Sequence, residues 1–273
     1  MLVYNDIPYI DDNDPKHRLD LYIDEEKQQQ QHQKPAQLIV YIHGGAWRMG
    51  DKREFGALCE GIVGAAGGSV AVAAINYRLS VRGDAQTRHP MHLNDVLAAI
   101  RFLAAPRAGY PGSSRVDAGR TVLVGHSAGA HLAMLAALQQ SPTATATTAA
   151  VVGVVGVGGI YDIPDVVATY PSYADFIDMA FTETQRLTAS PYHVARTQDV
   201  LPTGIRFLLI NSTADELVPS VQAASMARQL VARECADVSL VVRDIGTHDG
   251  ELFTEQFWRI VADFVAADPA IPI

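Results

Sequence analysis

The sequence predicts an α/β chain in which a mostly parallel central sheet carries helices on both faces. Three observations predict it. Short β-like apolar runs alternate with segments whose apolar residues recur at helical spacing, the pattern of successive βα units. The pentapeptide Gly125-His126-Ser127-Ala128-Gly129 joins one such run, TVLV, to the helical pattern AHLAMLAAL. No internal repeat is evident in the 273 residues, and the Pro/Gly-rich stretch 105–119 reads as an intradomain loop, because one continuous sheet needs strands from both sides of it. A single domain over residues 1–273 is therefore expected.

Taken in order, residues 17–24 alternate apolar and polar positions as a half-buried strand does. The Gln-rich tract EEKQQQQHQKP offers nothing to bury and reads as a solvated loop joining two paired strands, the second at residues 37–42. Residues 69–76 read as a buried strand, 93–104 as a helix, 121–124 as a strand, 128–138 as a helix and 151–157 as a strand. A long irregular excursion over residues 159–201 is expected to form a small cap, with a short helix within YPSYADFIDMAF. Strand 205–211, helix 220–233, strand 238–245 and helix 251–266 complete the pattern.

Thirty acidic against 21 basic side chains give a net charge of −9, which leaves no electrostatic footprint for nucleic acid or an anionic membrane. The apolar run 149–161 is too short and too rich in glycine to span a bilayer, which takes about 20 residues. Two cysteines, Cys59 and Cys235, cannot build a disulfide framework and read as small core fillers on helices. The opening residues MLVYNDIPYI have neither a basic n-region nor an apolar h-region, so a cytoplasmic protein is expected. No H-E-x-x-H or paired-cysteine cluster is present, and neither metal nor cofactor is expected.

The chemistry concentrates at Ser127. Gly125 and Gly129 let the chain turn sharply from strand to helix and let the helix pack close, so the serine hydroxyl stands exposed at the apex. A serine is a poor nucleophile until a positioned base takes its proton. The order expected for such an elbow is serine, acid, histidine. Asp215 follows the strand IRFLLINS, and His248 follows VSLVVRDI. Both lie past strand C-termini, on the edge where open α/β sheets bind ligands. Glu216 is the rival for the acid; Asp244 reads as lying within the last strand, and Asp249 adjoins His248. His126 is expected to pack or bond locally, and His89, His92, His131 and His193 to be structural.

An oxyanion also needs donors. The backbone N–H of Ala128 and the glycine-rich run His43-Gly44-Gly45-Ala46-Trp47 are placed to supply them. His43 reads as a brace for that loop. Trp47 reads equally as a pocket wall for a flat acyl or aryl group or as core, and Tyr173, Phe176 and Phe181 as cap residues facing substrate or as ordinary core.

Together the two motifs resemble the α/β-hydrolase esterases of the hormone-sensitive-lipase-like group. The His43-Gly44-Gly45-Ala46-Trp47 version is similar to that of kynurenine formamidases (arylformamidases). The likeness includes Asn76-Tyr77-Arg78-Leu79, the segment HPMHLNDV, and Ser127-Ala128-Gly129-Ala130-His131-Leu132. Gly159-Ile160-Tyr161-Asp162, Tyr170-Pro171-Ser172-Tyr173 and Gly246-Thr247-His248-Asp249 are similar to the fungal branch of that family. The resemblance implies an α/β-hydrolase fold, a triad of Ser127, Asp215 and His248, and an oxyanion site of Gly44, Gly45 and Ala128. It implies N-formyl-L-kynurenine, cleaved to formate and kynurenine, as candidate substrate.

Three functions remain open at this point. One is a serine hydrolase of aryl formamides and small carboxylic esters, whose partner is a small acyl substrate. A second is a biosynthetic thioesterase or acyltransferase, which would add a carrier protein as partner. The third is a non-catalytic binding module on the same scaffold, which an intact Ser-Asp-His set disfavours. The oligomeric state, a dimer included, is open as well.

Overall fold

The computed structural model describes residues 1–30, 35–105, 109–140 and 151–267. Its strands are β1 (Leu2–Pro8), β2 (Arg18–Ile23), β3 (Ala36–Ile42), β4 (Val70–Ile75), β5 (Val116–His126), β6 (Val151–Val157), β7 (Arg206–Asn211) and β8 (Asp237–Val242). They form one 8-stranded sheet in the order β1-β2-β4-β3-β5-β6-β7-β8. Pairing is parallel from β4 through β8, while β1 and β2 are antiparallel additions at one edge. The inner strands β4 and β7 are buried along their whole length, which is why VAVAAI reads as a continuous apolar run rather than an alternation. At the far edge, β8 is largely exposed.

The helices are α1 (Glu25–Gln30), α2 (Gly56–Ala65), α3 (Met91–Ala104), α4 (Ala128–Leu138), α5 (Ile163–Thr169), α6 (Ala174–Ala180), α7 (Glu183–Thr188), α8 (Pro191–Thr197), α9 (Val221–Ala232) and α10 (Glu255–Ala266). Helices α2 and α10 pack together over one face, around Ile62, Val63, Phe257 and Val261. The other face carries α3, α4, α8 and α9, and α4 is buried on all sides. A helix so enclosed shows no amphipathic stripe, which explains the uniformly apolar AHLAMLAAL. No helix among the described residues is long and apolar enough to cross a membrane.

Several expectations change. The strands flanking the Gln-rich tract are not paired with each other, because β4 lies between β2 and β3. The tract begins as helix α1, where acidic residues in the first turn complement the helix dipole; residues 31–34 lie outside the described residues. Strand β1 and helix α2 carry too little periodicity to be read from the sequence. Strand β5 starts at Val116, inside the stretch expected as a loop, whose residues 106–108 are also outside the described residues. The excursion is not irregular: α5 to α8 fill it, opened by the Asp162 cap on α5 and a Thr182–Gln185 capping box on α7. Cys235 lies past the end of α9 rather than on a helix, whereas Cys59 is buried on α2. Asp244 likewise falls beyond β8, in a turn where its carboxylate accepts from the Gly246 N–H at 3.2 Å.

Candidate active site

Ser127 stands between β5 and α4 with φ 54° and ψ −118°, a conformation that non-glycine residues rarely adopt. The neighbouring packing imposes it. A Cβ on Gly129 would lie 2.0 Å from the Ile42 carbonyl oxygen, and one on Gly125 would lie 2.3 Å from that of Gly129. Glycine at both positions lets α4 approach β3 and β5 closely enough to force the sharp turn. The Ser127 N–H is anchored on the Val157 carbonyl at 2.8 Å, and its own carbonyl starts α4 by accepting from Ala130 and His131. The hydroxyl makes no hydrogen bond to any described residue.

His248 is held from several directions. Its Nδ1 lies 2.8 Å from Asp215 Oδ2; a carboxylate only accepts, so Nδ1 is the donor. Its backbone N–H donates to Glu216 Oε2 at 3.1 Å. The two neighbouring acids therefore divide the work, Asp215 orienting the ring and Glu216 anchoring the loop. Asp215 Oδ1 in turn accepts from the N–H groups of Leu217 and Val218 at 2.9 and 2.8 Å. Burial raises the Asp215 pKa, but the His248 hydrogen bond and charge and those two N–H groups outweigh it, so the net shift is downward.

His126 is not the local residue expected. Its Nε2 donates to the His248 carbonyl, 122 residues away, at 2.9 Å, and the two rings pack with centroids 4.5 Å apart. Burial and the nearby His248 push its pKa down to about 3, so it is a neutral strut between the serine elbow and the histidine loop. Gly158 is a further residue that the sequence reading missed. Its φ is +51°, and a Cβ there would stand 3.0 Å from both Asp215 Oδ2 and His248 Cε1. Only its place directly after β6 hints at this.

The glycine loop lies beside the elbow. A Cβ on Gly44 would lie 3.1 Å from the Ser127 Cβ, and Gly45 has φ +100°. Ala128 is the first residue of α4, where N–H groups have no intrahelical acceptor. His43 braces the loop by stacking on Tyr77 at 4.5 Å, and the Tyr77 hydroxyl donates to the His43 carbonyl at 3.0 Å. Ala46 and Trp47 both have positive φ, 52° and 57°, in a turn closed by the Arg48 N–H on the Gly45 carbonyl.

Gly44, Gly45, Ser127 and His248 line one cavity of about 520 Å³, together with Arg48, Glu54, Phe55, Ile160, Tyr173, Phe176, Leu217, Asp249 and Phe253. Tyr173 and Phe176 are in ring contact at 5.0 Å on the cap side. Trp47 is corrected: its side chain is fully buried, packed edge-on against His131 at 5.0 Å and Phe181 at 4.9 Å, and does not line the cavity. The positive φ that turns the chain at Trp47 sends the indole into the core. Phe181 is core as well, buried against the rings of Trp47, His89 and His131.

Beneath His248 lies Glu251, fully buried, with no well-formed hydrogen bond to either carboxyl oxygen among the described residues. Burial, with the Asp215 charge nearby, pushes its pKa up to about 8, so it is mostly protonated at neutral pH. His126, His248 and Glu251 form a grouping that could bring three ligand atoms within 4.8 Å of one another. His126 Nε2 and His248 Nδ1 are already engaged, with the His248 carbonyl and with Asp215 respectively.

A parallel sheet with a glycine-enclosed serine elbow between its central strand and an enclosed helix is the α/β-hydrolase fold. A truncated carbohydrate esterase from gut microbiota superposes on it with a TM-score of 0.73, over 97% of this chain and 95% of that one, at 22% identity. The chain belongs to the BD-FAE family, whose model matches residues 19–230. It is 41% identical over 96 residues to a kynurenine formamidase of Meyerozyma guilliermondii, across 35% of this chain and 31% of that protein. It is 33% identical over 129 residues to a kynurenine formamidase-like hydrolase of Fusarium equiseti, across 39% of each. The chain thus matches only between 31% and 39% of the length of these two curated relatives.

Proposed function

We propose that the protein is a serine hydrolase that cleaves small aryl formamides, N-formyl-L-kynurenine among them, and related carboxylic esters through a Ser127–His248–Asp215 triad. The observation that carries the reading is the Asp215–His248 hydrogen bond of 2.8 Å, with His248 lining the same cavity as Ser127 and the Gly44–Gly45 loop. The partial likeness to two formamidase-type proteins supports the substrate class.

In this mechanism His248 Nε2 takes the Ser127 proton as Oγ attacks the formyl carbon. Asp215 holds the imidazole in the required tautomer and stabilises the imidazolium that forms. The N–H groups of Gly44, Gly45 and Ala128 receive the oxyanion. The imidazolium then protonates the departing aryl amine as the C–N bond breaks, leaving a formyl ester on Ser127. Water, deprotonated by His248, repeats the attack and releases formate. Tyr173 and Phe176 flank the leaving group, and no step requires a metal.

The test is hydrolysis of N-formyl-L-kynurenine beside p-nitrophenyl acetate, with Ser127→Ala as control. A kcat/KM for the formamide of about 10⁴ M⁻¹s⁻¹ or more, lost in Ser127→Ala, is expected. Activity on the simple ester alone would sink the formamidase reading and leave the nucleophile standing. Full activity in Ser127→Ala would remove both.

A further inference from the structure

Arg48 has no task in the chemistry just described, yet the fold takes trouble to place it. It closes the turn that begins at Gly45, its N–H bonded to the Gly45 carbonyl at 3.0 Å. Both central residues of that turn, Ala46 and Trp47, are held at positive φ, and a bulky residue at positive φ is an outlier that the surroundings must enforce. They do so by burying the Trp47 indole between His131 and Phe181, and by engaging the Trp47 carbonyl with the Ser80 N–H at 2.8 Å. With the indole locked inward, the next side chain is directed out to the cavity, three residues beyond the loop glycine assigned to the oxyanion.

There the guanidinium lies over the Phe176 ring, 5.2 Å from its centroid. It makes no ion pair with any described residue. Asp175, beside Phe176 in the sequence, is paired with Arg82 at 2.6 Å and feels the Arg48 charge only beyond ion-pair distance. Among the described residues lining the cavity Arg48 is the only lysine or arginine, whereas Glu54 and Asp249 also line it. In a chain of net charge −9, that guanidinium is the fixed positive charge that the lining side chains offer an entering anion. A guanidinium supported on an aromatic face keeps its N–H edge free, and that planar fork matches a carboxylate.

We propose that Arg48 binds a carboxylate on the substrate, remote from the scissile carbonyl, and so makes the protein selective for anionic aryl substrates over neutral ones. This rests on the reading of Ser127 as the nucleophile. It does not depend on whether the scissile bond is a formamide or an ester.

The experiment compares two matched pairs: meta-acetoxybenzoate with meta-acetoxybenzamide, and meta-formamidobenzoate with meta-formamidobenzamide. The readout is the ratio of kcat/KM for the anionic member to that for the neutral one. In the wild type the ratio exceeds one and falls as salt is added. Arg48→Ala is expected to lower it about tenfold, Arg48→Lys to retain part of it, and Arg48→Glu to invert it. A ratio that stays within about twofold of wild type in both Arg48→Ala and Arg48→Glu overturns the proposal. If formamides are inert while the ester ratio responds to Arg48, the formamidase reading fails and the carboxylate site stands. Formamides cleaved with a ratio indifferent to Arg48 give the reverse.

Discussion

The serine elbow and the cap are built on opposite principles. Around Ser127 the backbone is strained and the packing leaves no slack: Ala46, Trp47 and Ser127 all have positive φ, and a Cβ on Gly125 or Gly129 would collide with backbone. Across the cavity, α5 to α8 are short helices, α5 and α7 with side-chain N-caps, and no non-glycine residue from 159 to 201 has positive φ. The elbow must hold reacting groups to within a fraction of an ångström, and only surroundings that over-determine it can do that. The cap has only to offer surface. In the proposed mechanism chemistry resides in the first region and selectivity in the second, with Arg48 bridging them.

The sharpest way to break that division is at the acid pair. Asp215→Asn should lower kcat by about 10⁴-fold, because the wrong tautomer of His248 is then favoured. Glu216→Gln, which touches only the His248 backbone, should cost less than about tenfold. Equal losses in steady-state assays would mean that both acids serve the ring. Next in size is Gly129→Ala, which forces α4 away from β3. It should destabilise by about 3 kcal/mol or more in denaturant titration and remove activity along with it. Unchanged stability there would show the elbow to be as tolerant as the cap.

On the cap, Phe176→Ala should raise KM for aryl substrates by about 2–10-fold, with a smaller change in kcat, as expected for a ring that contributes surface. A collapse of kcat comparable to that of Asp215→Asn would place the cap inside the chemistry. A change in pH dependence rather than in rate belongs to Glu251. Its pKa is raised from 4.5 to about 8, so the folded state binds the proton more tightly than the unfolded chain. Stability is then lost as pH rises from about 4.5 to 8, and levels off above that. Glu251→Gln should flatten this slope and raise Tm at pH 8.5 more than at pH 5, by about 2–4 °C for each kcal/mol regained. Identical pH slopes in the two proteins would mean that the carboxyl is solvated after all.

Much of the site was legible because its pieces are local. Gly125 and Gly129 flank Ser127 within five residues, and the order of acid and histidine after their strands follows from the topology. What was illegible depends on contacts between distant segments. His126 reads as a local residue, yet it bonds to a carbonyl 122 positions away. Trp47 reads as either pocket or core, and only the sign of its φ, enforced by His131 and Phe181, decides for core. The excursion reads as irregular because its helices are 6 or 7 residues long, too short for a periodic pattern.

The sequence by itself determined the alternation of strands and helices, the serine between its two glycines, and the order in which Asp215 and His248 return to the same sheet edge. Periodicity and glycine placement act over a few residues, and the parallel sheet does the rest. The tertiary structure decided which acid meets the His248 ring, where the Trp47 indole goes, and that Arg48 faces the cavity with no ion pair to any described residue. Each of those depends on which distant groups compete for the same few ångströms, and a hydrogen bond or a buried ring is settled only when all its rivals are in place.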